Sequence, residues 1–290
     1  MKLNYVNKIK ANISIYSSKK STNLLDGTYK SIYRGKSMNF ENLREYVMND
    51  DIKDIDWKAS ARSGTLYVKQ FIAEKKHNIL LVMDTGLKMK ADTSKHQKKK
   101  DVALFTAGTI GYLAIKNSDY VGMIHNNLSK IEYQPFKSNL YNLEEYLCNY
   151  DKNYSSEGND INSILEFVYK NIHKKMITFI ITDIDGVNNI RTDTLKKLNQ
   201  KSDVLVINID DNYMIGDEVY DIDDDRYISK SFLNDPKLHE MEREIRTSLL
   251  KKNKLKLKKK NTSFISIDSI ENINFNIIKL LEEHKNAGIN

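Results

Sequence analysis

From Leu66 onward, short apolar runs alternate with stretches whose apolar residues recur every three or four positions, a pattern of strands exchanging with helices. The runs predict strands at Leu66 to Phe71, Ile79 to Met83, Tyr120 to Ile124, Ile131 to Pro135, Ile177 to Thr182, Val204 to Ile209 and Phe264 to Ile267. The longer spacing predicts helices at Lys98 to Lys116, Leu140 to Asn149, Asp160 to His173, Thr192 to Gln200, Pro236 to Lys254 and Ile270 to Glu283. A run such as Ile79-Leu80-Leu81-Val82-Met83 is apolar on consecutive positions, so both faces of its strand need cover. The expected fold is α/β: a doubly wound, mostly parallel sheet with helices on both faces. In the helix from Lys98, Val102, Phe105, Ile110, Leu113 and Ala114 are expected to face the sheet, while Ala107, Gly108 and Gly111 let a strand come close. Pro236 fits a first helical turn, with Leu238, Met241, Ile245 and Leu249 as the expected buried stripe.

The first 31 residues read as a loosely structured arm. A short helix is expected next, with Asn39 as its N-cap, Met38 and Leu43 spaced as a hydrophobic staple, and Phe40, Leu43 and Val47 on one face beside Arg44. The division expected is residues 1–75 as an arm and motif segment packing on a main domain of residues 76–290. The densest segments of the chain lie before that boundary, at Tyr33-Arg34-Gly35, Phe40-Glu41-Asn42-Leu43-Arg44-Glu45-Tyr46 and Asp50-Asp51-Ile52-Lys53-Asp54-Ile55-Asp56-Trp57-Lys58-Ala59-Ser60-Ala61-Arg62. These segments resemble the MoxR-associated family known as domain of unknown function 58, in its short soluble form. The resemblance implies a von Willebrand factor type A-like domain and a non-enzymatic partner of a MoxR-type AAA+ ATPase or of the client it remodels. Arg44, Asp51, Asp56, Trp57, Lys58 and Arg62 carry the family motif.

Two expected central strands end in acid, at Asp84 and at Asp183, with Asp185 close behind. Ligands of open α/β sheets gather at such strand ends. Type A domains place a metal-ion-dependent adhesion site there, built from Asp-x-Ser-x-Ser, a loop threonine and a later aspartate. In this chain Gly86 and Lys88 stand where the serines would be, and Asn159 or Asp160 where the threonine would be. Asp84 and Asp183 remain as metal ligands if magnesium binds, since oxygen ligands suit that hard cation. The other reading has no cofactor, with Lys88 pairing Asp84 or Asp183 in place of the ion. A third makes the acids mere caps of the turns and helices that follow. The site cluster is thus Asp84, Lys88, Asn159, Asp160, Asp183 and Asp185.

Trp57, the one tryptophan, is expected to plug the core with Arg62 paired to Asp54 or Asp56; the alternative makes Arg44, Asp51, Asp56, Trp57, Lys58 and Arg62 a surface read by a partner. Seven lysines among residues 251–260 are read as a solvated helix end, since no aromatics interleave with them for base stacking. The eight acids of residues 210–225 lack the spacing of a calcium loop and are read as an acidic surface loop. A net charge of +7, from 46 basic and 39 acidic residues, is too small to mark a nucleic-acid binder, and that partner is not expected. Cys148 lies inside an expected helix, none of the six histidines is spaced as a general base, and Gly108-Thr109-Ile110-Gly111 is no phosphate loop. His125 is expected to be a satisfied residue at a strand end. With no apolar run near the roughly 20 residues of a membrane span, no disulfide and no signal-peptide core near Met1, the expectation is a cytoplasmic protein without membrane contact. It is expected to be a protein-interaction module docking by its strand-end surface. A magnesium-dependent phosphoester hydrolase using Asp84, Asp183 and Asp185, and a nucleic-acid binder using the lysine run, are the alternatives.

Overall fold

Ile79, Leu81 and Met83 turn to one side of the central sheet and Leu80 and Val82 to the other, and all five are buried. Covering both faces requires helices on both, and that demand organises the fold. The computed structural model describes residues 3–16, 24–29, 42–48, 50, 52, 55–70, 76–127, 130–152, 160–212, 218–221, 226–229 and 236–287. In chain order the elements are α1 (Asn4–Tyr16), α2 (24–29), β1 (Asn42–Glu45), α3 (Trp57–Ser63), β2 (Tyr67–Gln70), β3 (Asn78–Met83) and a 3-10 turn, Leu87–Lys90. Then come α4 (Lys99–Lys116), β4 (Tyr120–Asn127), β5 (Lys130–Lys137), α5 (Leu140–Lys152), α6 (Ile161–Asn171), β6 (Met176–Asp183), α7 (Ile184–Asn189) and α8 (Thr192–Asn199). The chain continues with β7 (Ser202–Ile209), β8 (Glu218–Asp221), β9 (Arg226–Ser229), α9 (Pro236–Lys258), β10 (Ser263–Ile267) and α10 (Ile273–Ala287).

The six-stranded sheet has the order β10-β7-β6-β3-β4-β5, parallel throughout except for the edge strand β5. It is the doubly wound, mostly parallel arrangement that the alternation predicts. The order reverses between β3, which runs on to β4, and β6, which returns on the other side of β3. Helices α1, α4, α5 and α10 cover one face; α6, α7, α8 and the end of α9 cover the other.

Five expectations are corrected. The N-terminal segment is not a loose arm over residues 4–16: Val6, Ile9 and Ile13 of α1 are buried against α4 and α5. At roughly 1.5–3 kcal/mol each, those three side chains offset the modest helix propensity of a segment rich in asparagine and isoleucine. That docking also explains the glycines of α4, which meet helices rather than a strand: a Cβ on Gly108 would lie 2.1 Å from Ile9, and one on Gly111 2.6 Å from Leu143 of α5.

The helix expected near Asn39 is instead strand over residues 42–45, because Leu43 and Arg44 pair across to Lys69 and Val68 of β2. Asn39, Met38 and Phe40 lie outside the described residues. In α9, Leu238, Met241 and Ile245 are exposed, so the stripe expected to be buried is not; Leu257, the next-to-last residue of the helix, is the buried apolar anchor. The acidic stretch is not wholly a surface loop either, since β8 lies within it and pairs antiparallel with β9, which follows it, and its first two acids turn inward.

Candidate functional site

The carboxylates of Asp84 and Asp183 come together at the carboxyl ends of β3 and β6, where the strand order reverses. Parallel pairing of Met83 with Ile181 sets the two chain exits level, and the Asp84 amide still donates to the Ile181 carbonyl at 3.0 Å. Both carboxylates stand against Gly186. Its amide donates to Asp183 Oδ1 at 2.8 Å, and a Cβ built on it would lie 3.1 Å from Asp84 Oδ2. Thr182 Oγ1 donates to that same Asp84 Oδ2 in a short hydrogen bond, and the Gly86 amide donates to Oδ1 at 2.8 Å. Tyr150 from α5 donates to the Asp84 carbonyl at 2.9 Å. Asp84 and Asp183 are 8% and 3% exposed, so this is an inward-facing cluster rather than an open cleft.

The cation beside Asp183 is Lys99, not Lys88. Lys99 Nζ lies 3.5 Å from Asp183 Oδ2 and in ion-pair contact with Asp211 Oδ1, and the side chain is 1% exposed. Burial pulls the Lys99 ammonium below the ordinary lysine range, and Asp183 opposes that shift. Lys88 lies in the 3-10 turn Leu87–Lys90, which carries it outward to Asp185, where both side chains are about half exposed. Its hydrogen bond with Asp185 holds the Lys88 pKa above its ordinary value against the pull of desolvation.

Lys99 sits in a run of three lysines at the start of α4, where the helix dipole disfavours positive charge. Each reaches a separate acid. Lys98 pairs with Asp92 at 3.1 Å, Lys99 with Asp183 and Asp211, and Lys100 with Asp151 at 2.8 Å. The helix start is therefore tied to the loop after β3, to the ends of β6 and β7, and to α5. The segment after β7 closes over the loop from β3: the Asn212 amide donates to the Asp92 carbonyl at 2.8 Å, and Arg246 of α9 donates to the Asp211 carbonyl at 2.5 Å. From β9, Tyr227 donates to Asp92 Oδ2 at 2.7 Å.

Asp160 caps α6, accepting from the Asn162 amide at 3.0 Å, and Asp183 caps α7 through its bond to Gly186. The capping reading therefore holds for both, and Asp183 additionally faces Lys99. Asn159 lies outside the described residues. No group of three or more His, Cys, Asp or Glu side chains among the described residues is arranged to hold a metal ion.

Trp57 is not a core plug: it is 63% exposed at the first position of α3. The helix is fixed without it. Asp56 caps it, accepting from the amides of Lys58 and Ala59 at 3.1 and 3.0 Å. Ser60 is its one buried residue, and the Ser60 hydroxyl receives the Tyr67 amide of β2 at 2.8 Å. At the other end Gly64 takes φ 75°, the left-handed conformation that closes the helix. Arg62 is exposed and makes no ion pair among the described residues, where pairing with Asp54 or Asp56 was expected; Asp51 and Asp54 lie outside them. Arg44 grips Asp50 by two nitrogens, at 2.5 and 2.6 Å, which holds the Asp50 carboxyl below the usual carboxylate range. Leu43, Val47, Met48, Ile52 and Leu66 are exposed in the same segment.

The lysine run is the helix end it was read as, and partly neutralised: Lys254 pairs with Glu283 at 3.2 Å and Lys256 donates to the Asn188 carbonyl at 2.9 Å. His125 is fully buried in β4, with Nδ1 3.1 Å from the Asn126 carbonyl and Nε2 3.6 Å from Glu132. Burial pulls its pKa below 6.5, against the opposing effects of Asn126 and Glu132. His284 is lowered for the same reason. On acidification through 6.5 the unfolded chain takes up these protons before the folded one, so stability falls, by up to about 1.4 kcal/mol per pH unit for each proton. Urea midpoints are expected to drop between pH 7 and pH 5.5 and to drop less in a His125→Asn, His284→Asn protein; equal slopes would refute this origin.

Sequence reasoning missed Lys99, Asp211, Thr182 and Gly186. A signal for the first was present, because three lysines opening a helix oppose its dipole and require acidic partners from elsewhere. Nothing local named those partners.

Residues 42–215 match the family described as "Protein of unknown function DUF58". No curated protein matches the chain. Among solved structures, the conserved hypothetical protein BatB from Bacteroides thetaiotaomicron is 14% identical, with a TM-score of 0.44 over 72% of this chain and 98% of its own. An aerotolerance-related membrane protein from Bacteroides fragilis is 13% identical, with a TM-score of 0.45 over 71% of this chain and 99% of its own. A von Willebrand factor type A protein from Catenulispora acidiphila is 9% identical, with a TM-score of 0.39 over 77% of this chain and 44% of its own. The expected cytoplasmic location does not stand, since one of these similar structures is that of a membrane protein. No helix among the described residues is long and apolar enough to cross a membrane.

Proposed function

Since the chain belongs to the DUF58 family through residues 42–215, we propose that it acts by recognition, as a non-enzymatic module that partners a MoxR-type AAA+ ATPase or the client of one. The ATPase enters through the resemblance of the motif segment. The observation that carries the reading is Trp57, a large aromatic held 63% exposed by a helix that is capped and docked without it. Exposed tryptophans placed on a fixed scaffold are the residues that dominate interface energies. Docking in this reading runs through α3 and the β1–β2 pair, with Lys58 and Arg62 beside Trp57 on α3. The strand-end surface contributes through Lys88 and Asp185, its exposed pair. Hydrolysis through Asp84 and Asp183 is not supported, because their oxygens face protein donors and the cluster is shut from solvent.

Binding of a MoxR-type ATPase from the same organism tests this. Trp57→Ala is expected to weaken it by about 2 kcal/mol, roughly 30-fold, while leaving the melting temperature unchanged. Absence of binding in every nucleotide state, or full affinity in the alanine variant, rules the reading out.

A further inference from the structure

The type A resemblance leads to a divalent cation at Asp84 and Asp183, and the residues present do not fit one. Four carboxylate oxygens converge at the strand ends, and each already faces a donor from the chain. Asp84 Oδ1 accepts from the Gly86 amide at 2.8 Å and Asp84 Oδ2 from Thr182 Oγ1. Asp183 Oδ1 accepts from the Gly186 amide at 2.8 Å, and Asp183 Oδ2 faces Lys99 Nζ at 3.5 Å. A third acid from the end of β7, Asp211, contacts the same ammonium. Magnesium needs near-octahedral oxygen coordination at about 2.0–2.1 Å. It would have to displace these donors and stand beside a fixed positive charge.

We infer that Lys99 is the site's built-in cation: its buried ammonium ties β6 to β7 through Asp183 and Asp211, and makes the strand-end cluster independent of divalent metal. Lysine suits the place because its ammonium is a compact charge with three donors on a long stem. It reaches the acids from the first turn of α4, while Lys98 and Lys100 diverge to Asp92 and Asp151. One consequence concerns partners. A site of this kind offers no open coordination position, so it cannot capture a partner's carboxylate through a shared metal, and recognition by this protein is expected to survive chelation. The inference stands apart from the docking reading, because a metal-independent protein can either bind the ATPase or fail to.

Melting of the full chain in magnesium and in EDTA, together with manganese titration, tests it. The wild-type melting temperature is expected to be the same in both solutions, whereas a site filled a hundredfold above its dissociation constant would raise it by about 5–10 °C. No stoichiometric manganese binding is expected in the wild type. Lys99→Ala is expected to melt lower in EDTA, and to gain manganese binding and magnesium-dependent stabilisation, because Asp183 and Asp211 then lack their cation. Wild-type manganese binding that disappears in Asp183→Asn overturns the inference. So does a folded Lys99→Ala protein that binds no manganese, since the ammonium would then not be what holds the place. If Lys99→Ala does not fold, the wild-type titration with its Asp183→Asn control decides alone.

Discussion

Glu144→Ala is expected to lower the unfolding free energy by about 3–5 kcal/mol and to make α1 the first segment cut by protease. Glu144 is fully buried in α5, and its carboxylate reaches the first turn of α1. One oxygen accepts from the Tyr5 amide at 2.9 Å and the other from the Val6 amide at 2.8 Å. Those amides are among the first of α1, which have no partner within the helix. A carboxylate there answers both the unsatisfied donors and the positive end of the helix dipole. Bonds from an amide to a charged acceptor are worth about 1.5–3 kcal/mol each, and deletion leaves one buried and one partly buried N–H group behind as well. Set against the 5–15 kcal/mol total typical of a protein, that is a large share. Glu144→Gln keeps one good acceptor and should cost about half as much. Urea denaturation measures both; an alanine variant within about 0.5 kcal/mol of the parent would show that α1 docks by its apolar side alone.

Gly186→Ala is expected to destabilise by about 2–4 kcal/mol, although helix propensity by itself predicts a gain of about 1. Steric conflict decides the sign. The new Cβ would lie 1.8 Å from Thr182 Oγ1 and 3.0 Å from Thr182 Cβ. Thr182 is fully buried, so it can make room only by turning its hydroxyl off Asp84. The variant then bears an overpacking cost of about 1–3 kcal/mol together with a lost bond to a carboxylate, about 1.5–3 kcal/mol. A double-mutant cycle isolates this origin. In a Thr182→Ala background the hydroxyl is already gone, so Gly186→Ala should cost at least about 1 kcal/mol less than in the parent. Additive effects, or a Gly186→Ala protein more stable than the parent, would rule out the contact as the cause.

The main sheet was legible because each of its central strands carries its own instructions. A run such as Ile177 to Ile181 needs cover on both sides wherever it lies, and the amphipathic segments between such runs supply it. Legibility failed where an element owes its state to a remote partner. Residues 42–45 have helical spacing and form a strand because residues 67–70 lie alongside them. The stripe of Val6, Ile9 and Ile13 was overlooked because its cover, α4 with Gly108 and α5, lies about a hundred residues or more away. Trp57 was misplaced by the rule that a lone large aromatic is buried, whereas Ser60 anchors its helix and leaves the ring outside.

The sequence by itself determined the layered α/β architecture and the placing of Asp84 and Asp183 at strand ends, since hydrophobic periodicity and the residue that follows an apolar run are local properties; the pairing that sets the two ends level is tertiary. Only the tertiary structure decided which cation meets them. Lys88 is four residues from Asp84 and points outward to Asp185, whereas Lys99, fifteen residues on, is carried back by the first turn of α4 to Asp183 and Asp211. Charge pairing inside a protein depends on distance through space and on exclusion of water, and neither quantity is written in the order of residues along the chain.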